Sequence, residues 1–152
     1  MKTLIIYESV HHGNTERVAR AMADALGAKL VKPSDVSPGD LTQYDLIGFG
    51  SGIYFGRHHK NLRRFVKRLQ PMNKNAFVFS SCGANRNQNR GLIARLAHKG
   101  FSVKGDFFCP GFDTMGPFFL IGGLKKGRPN AADLQAAREF AGQLAAKLEA
   151  AA

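Results

Sequence analysis

Thr3-Leu4-Ile5-Ile6-Tyr7 leads through Glu8 into Ser9-Val10-His11-His12-Gly13-Asn14-Thr15, and the reading of this junction decides the fold. The first five residues form a short apolar run rich in β-branched and aromatic side chains, the pattern of a buried strand. Beyond the junction, Val18, Ala19, Met22, Ala23 and Leu26 recur at helical spacing. A turn of small and polar residues between strand and helix presents backbone N–H groups at a helix N-terminus, where the macrodipole attracts an anion. The Ser9 and Thr15 hydroxyls and the Asn14 amide add donors, and His11 and His12 can each donate a ring N–H. Ser9, His11, His12, Gly13, Asn14 and Thr15 together read as a phosphate cradle. It is neither a Walker loop nor a dinucleotide fingerprint, because Gly13 is the turn's only glycine and no Gly-Lys-Ser/Thr follows.

The same alternation of strand and helix continues along the chain. Ala28–Val31 is a short second strand, and Tyr44–Phe49 a third that runs into a bend at Gly50-Ser51-Gly52. A basic helix is expected at about 58–69, with Leu62, Phe65, Val66 and Leu69 on its buried face. Ala76–Ser81 is a fourth strand, Leu92, Ile93 and Leu96 mark a helix, and Phe101–Phe108 is a fifth strand. A last helix spans about 131–150, with Pro129 before it and Asp133 in its first turn. Strict alternation implies a parallel sheet covered on both faces, in one domain over residues 1–152. Five strands suggest the doubly wound order 2-1-3-4-5, in which ligands bind beyond the carboxyl ends of the strands beside the switch point.

The loops leaving strands three and four would meet the cradle there. In Ser51-Gly52-Ile53-Tyr54-Phe55-Gly56, the glycines allow close backbone approach, while Tyr54 or Phe55 either stacks on a planar ring or packs into the core. Ser81-Cys82-Gly83, with Asn85 and Arg86, offers backbone and amide donors to the polar edge of such a ring. The stretch from Cys109 to Pro129 is long for a connection, and Phe112, Phe118 and Phe119 within it cover a ligand, face a partner or pack on the body.

A Ser-rich turn ending in Gly-Asn-Thr directly after the first strand resembles the FMN-phosphate loop of flavodoxins. Here Val10, His11 and His12 stand where flavodoxins usually carry two threonines. Gly50–His59, feeding a helix with Leu62 and Phe65-Val66, resembles the corresponding part of flavodoxin-like protoporphyrinogen dehydrogenases. Gly111–Thr114, Gly116–Phe118 and Gly122–Asn130 are similar to the tail of short flavodoxin-family proteins of anaerobes. The resemblance implies a flavodoxin-like fold holding FMN, with the cradle on the phosphate and the other two loops on the ring. It implies an electron carrier first. An FMN-dependent oxidoreductase acting on a quinone or a porphyrinogen is the alternative, and a flavodoxin-fold binding module without FMN the second.

At 152 residues and 44% hydrophobic content, the chain can bury a proper core. It has no run of eighteen apolar residues to span a membrane and no stretch resembling a signal peptide, which points to the cytoplasm. Cys82 and Cys109 are too few for a disulfide framework and lack metal-ligand spacing. The formal charge is +11, from 22 Lys and Arg against 11 Asp and Glu, whereas flavodoxins are typically acidic. Between Asp45 and Asp106 no acid occurs, yet Arg57, Lys60, Arg63, Arg64, Lys67, Arg68 and several further basic residues do. Such a field suits an acidic redox protein or an anionic substrate. No recognition motif for nucleic acid accompanies it, and a monomer or weak dimer is expected.

Overall fold

The computed structural model describes residues 1–84, 86–114 and 120–152. Its elements are β1 (Thr3–Glu8), α1 (Asn14–Leu26), β2 (Lys29–Val31), β3 (Leu46–Tyr54), β4 (Arg57–His58), α2 (Lys60–Arg68), β5 (Asn75–Cys82), α3 (Arg90–His98), β6 (Ser102–Pro110) and α4 (Ala131–Ala150). Five strands run parallel in the order β2-β1-β3-β5-β6, which is the expected doubly wound order once the short β4 is set aside. Single 3-10 turns at Pro33–Asp35 and Pro38–Gln43 fill the connection from β2 to β3.

Because side chains alternate along a strand, the sheet carries two cores. Leu4, Ile6, Ile47, Phe49 and Val78 pack under α2 and α3, where Leu62, Phe65, Val66, Leu92 and Leu96 meet them. Ile5, Tyr7, Phe77 and Phe79 face α1 and α4, whose Val18, Ala19, Met22, Ala137, Ala141 and Leu144 are buried against them. On this second face β3 offers Gly48 and Gly50, paired in register with Phe77 and Phe79. A Cβ at either glycine would sit inside the neighbouring phenyl ring. The two rings therefore lie across a strand with no side chains beneath them.

Two expectations need correction. The glycine-rich bend after the third strand is instead a continuation of β3 to Tyr54, followed by a hairpin to an additional strand, β4, antiparallel to β3. Phe55 (φ 50°) and Gly56 (φ 75°) form its two-residue turn, both in the left-handed region that such tight hairpins require. Phe-Gly lacks the Asn-Gly or Asp-Gly signal of this turn, so the hairpin was hidden. The basic helix also starts later than expected, at Lys60, because His58 belongs to β4.

His58 is the pin of this hairpin. It is buried, with Nδ1 2.9 Å from Ser51 Oγ and Nε2 3.0 Å from Asn89 Oδ1. Asn89 donates from Nδ2 to Asp106 Oδ2 and to the Phe107 carbonyl, so its Oδ1 faces the ring and Nε2 must carry the proton. Nδ1 is then free to accept from Ser51, whose oxygen also accepts the His59 N–H at 2.8 Å. Arg63 Nε donates to the His58 carbonyl. The chain of contacts ties β3, β4, α2, α3 and β6 together, and it fixes Ser51 and Gly52 where β3 leaves the sheet.

Burial pushes the His58 imidazole down to about 4, with the Asn89 contact opposing and the Arg63 charge reinforcing the fall. Two outcomes follow. Gly50→Ala should cost about 1–3 kcal/mol in urea denaturation through overpacking against Phe79, while Gly39→Ala, which opens on free space, should cost little. A depressed histidine stabilises the fold above its unfolded value of about 6.5, and that stability is lost as pH falls toward 4, because the unfolded chain takes up the proton first. Moving from pH 7 to pH 5 should therefore remove about 2 kcal/mol through His58 alone, and His58→Gln should flatten that part of the pH dependence.

Candidate functional site

The turn after β1 leaves α1 with an unusual start. Gly13 is the N-cap residue in a left-handed conformation, and no side chain caps the helix. His12 before it is also left-handed. The first helical bond runs from Arg17 N–H to the Gly13 carbonyl, so the N–H groups ahead of it point out of the helix end. Beside them, Ser9 Oγ is buried with no hydrogen-bond partner among the described residues.

A recess of about 30 Å³ opens at this point and gathers residues from four elements. Ser9, His11, Asn14 and Thr15 come from the first turn, Gly52, Ile53 and Tyr54 from the end of β3, and Ser81, Cys82 and Gly83 from the end of β5. All belong to the set expected from sequence. Gly13, on the turn itself, does not line the recess, and neither does His12, whose ring lies 4.3 Å from that of Phe112 while its Nε2 is 2.9 Å from Thr114 Oγ1. Ser51 lies fully buried behind the recess, in the His58 network. Phe55 and Gly56 stand outside on the hairpin tip, with Phe55 95% exposed, and Arg86 is exposed on the loop after β5. Asn85, Phe118 and Phe119 fall outside the described residues.

The fourth contributor, the segment after β6, supplies Gly111, Phe112 and Asp113, which were not among the expected binding residues. The sequence signals for it are the length of the 109–129 stretch, Phe112 within it as a candidate ligand cover, and the resemblance carried by Gly111–Thr114. Its base is closed by Phe112 N–H to the Arg128 carbonyl and by a bridge between Asp113 and Leu124. Gly111 donates to the Cys82 carbonyl, and a Cβ there would meet Asn14 and Ser81. The Asn14 amide gives one of its two N–H donors to the Phe112 carbonyl at 2.8 Å, and its buried Oδ1 has no partner among the described residues. Thr15 and Ser81 hydroxyls bond each other at 2.8 Å across the recess floor.

Tyr54 separates this recess from a larger cleft of about 570 Å³ lined by Val10, His11, Phe55, Arg57, Lys60 and Arg63. Its ring packs edge-on against His59 at 5.3 Å and lies 5.9 Å from His11. Burial, then the carboxylates of Asp113 and Glu8, raise its phenol above the usual range. Burial also holds His59 below the usual imidazole range, with Lys60, His11 and Arg63 adding to the effect and Glu8 opposing it.

The two thiols do not cooperate. Cys109 pairs in register with Ser81, and Cys82 with Pro110, so the two side chains project to opposite faces of the sheet. Burial pushes Cys109 up to about 12 and raises Cys82 as well, which keeps both protonated and poorly nucleophilic. Among the described residues no group of three or more His, Cys, Asp or Glu could hold a metal ion, and no helix is long and apolar enough to cross a membrane.

Comparison with known proteins bears on the family and the fold. An uncharacterized protein of Methanocaldococcus jannaschii is 46% identical over 144 residues, covering 93% of this chain and 96% of its own. An archaeal flavodoxin superimposes with a TM-score of 0.75 at 17% identity, over 98% of this chain and 99% of that one. Oxidised flavodoxin 2 from Bacillus cereus gives 0.73 at 21% identity, over 97% and 99%. At such identities the two structures speak for the fold alone. The family model of the flavodoxin domain matches residues 4–105, two thirds of the sequence, and the chain belongs to the flavodoxin family.

Proposed function

We propose that this chain acts as one flavodoxin-like domain that binds FMN non-covalently and passes electrons between redox partners. The observation that carries the reading is the start of α1: an uncapped helix N-terminus with the orphaned Ser9 hydroxyl beside it, at the switch edge of a doubly wound sheet. A phosphate satisfies both, since the exposed N–H groups and the hydroxyl are donors without acceptors. The small recess has no room for a ring system, so the ring belongs in the 570 Å³ cleft on the far side of Tyr54, within the size range of cofactor sites. Exposed His11 stands where the two meet and lines both.

The flavin, when bound, supplies reversible one- and two-electron chemistry. The chain's own part is to hold and shield. Ser9, Gly13 and the first turn of α1 would hold the phosphate, Thr15 and Ser81 brace the floor, and Tyr54 would offer its ring as a wall. The Ser51–His58–Asn89 chain fixes the backbone at Gly52 against displacement. Burial raises the Tyr54 phenol and the Cys82 thiol and lowers the His59 imidazole from their ordinary values. The acid-free interval between Asp45 and Asp106 contributes α2, α3 and the hairpin beside the cleft, and it suits an acidic partner.

Ser9→Ala should weaken FMN by roughly ten- to a hundredfold, since a hydrogen bond to a charged group contributes about 1.5–3 kcal/mol, and should leave riboflavin almost untouched. Fluorescence titration with both ligands checks this, and equal losses would place the phosphate elsewhere. Electron exchange with an acidic redox protein should slow markedly as ionic strength rises from about 0.01 to 0.15 M, while the Debye length shrinks from about 30 to 8 Å. Stopped-flow rates that ignore salt would remove the electrostatic partner assignment.

A further inference from the structure

We propose that a second recess, between the hairpin and the α2 and α3 helices, binds a small phosphate-bearing anion. It encloses about 210 Å³, room for about seven water molecules at liquid density. Arg57 of β4, Arg63 of α2 and Arg95 of α3 converge on it, with Gln88 and the bare backbone of Gly56 and Gly91 completing the wall. It shares no residue with the recess at the start of α1, while Arg57, His58 and Arg63 stand between it and the 570 Å³ cleft and line both; Arg95, Gln88, Gly56 and Gly91 belong to it and not to the cleft.

The charges here are uncompensated. Among the described residues, arginine ion pairs occur at Arg20–Glu16 and Arg128–Asp133, not at Arg57, Arg63 or Arg95. Arg63 spends its Nε–H on the His58 carbonyl and keeps its terminal nitrogens. Every lining residue lies in the interval without acids, and Asp106, which ends that interval, already accepts from Asn87 and Asn89. Three guanidinium groups facing one recess repel each other until an anion enters. The planar donor fork of arginine matches phosphate oxygens, and three forks from three elements suit a group with three free oxygens better than a two-oxygen carboxylate. Gly91 lies in the first turn of α3, whose N-terminus carries no side-chain cap and adds a partial positive charge. A recess of this size admits a free ion or a small ester.

The proposal rests on its own recess, and because Arg57 also lines the cleft proposed for the flavin ring, FMN affinity is measured on the same variants. Phosphate binding lost with Arg95→Gln alone, at unchanged FMN affinity, is expected, and phosphate affinity that follows FMN affinity across the variants would overturn the site. The full chain, as purified, is titrated with inorganic phosphate, pyrophosphate and glycerol phosphate, followed by calorimetry and by backbone amide shifts. Saturable binding with shifts at Gly56, Gln88 and Gly91 is expected, and the three probes tell a bare ion from an ester. The double variant Arg57→Gln/Arg95→Gln, both exposed positions, should bind roughly tenfold or more weakly with unchanged thermal stability. Arg64→Gln/Lys67→Gln removes the same charge outside the recess and should change affinity less than twofold. Equal weakening by both pairs would reduce the effect to diffuse attraction and overturn the site. Shifts confined to residues 9–15 would place the phosphate at α1 and overturn it too, as would binding of an acidic peptide with no response to any phosphate probe.

Discussion

The contact on which the rest of the molecule depends is the seating of Phe77 and Phe79 on Gly48 and Gly50. Two phenyl rings occupy space that any side chain on β3 would need, and they do so at the centre of the sheet. This lets the face under α1 and α4 stay flat enough for helices with small buried residues, Ala19, Ala137 and Ala141, to come close. Interiors packed this densely transmit position rather than absorb it. The start of α1 is therefore held at a fixed height above the strand ends, where the uncapped N–H groups do their work. Phe140 extends the same aromatic layer, meeting Phe77 at 6.1 Å and Phe107 at 5.7 Å.

Around that frame the loops are bound to one another more than to the sheet. Thr15 holds Ser81, Asn14 holds Phe112, and Gly111 holds Cys82, so the turn after β1 and the segments after β5 and β6 form one hydrogen-bonded rim. The hairpin after β3 is fastened separately, from beneath, by His58. The rings of His11 and Tyr54 join the rim to the hairpin. With Val10 they line both the tight recess and the broad cleft, which lie side by side.

Much of this was legible in the sequence, and the failures have physical reasons. The strand, turn and helix at residues 3–26 carry their period and their breaker residues openly, and the alternation that follows gives the order of the parallel strands. Ser9, Asn14, Thr15, Tyr54, Ser81 and Cys82 do converge, because loops at one edge of a doubly wound sheet have nowhere else to meet. The hairpin escaped because Phe55 occupies a left-handed position that sequence preferences reserve for Gly, Asn or Asp. Phe112 was legible only as one of three uses of a long loop, and Asp113 not at all, because a closure made by backbone bonds to Arg128 and Leu124 leaves no periodic trace. The role of His58 could not be read either, since burial of a histidine depends on Asn89 and Ser51 reaching it from distant parts of the chain.

The opposed projection of Cys82 and Cys109 has a consequence for how the protein ages in air. Neighbouring strands place the two sulfurs near each other in sequence register and yet on separate sides of a solid layer of backbone, which no side-chain rotation crosses. An internal crosslink is thereby closed off, and oxidation has no harmless intramolecular outlet. With Cys109 buried in the core and Cys82 half-open beside Gln88, a covalent dimer formed on storage joins two molecules through Cys82. Such a bond occupies the mouth of the recess at the end of β5, so a preparation kept without reductant closes that recess.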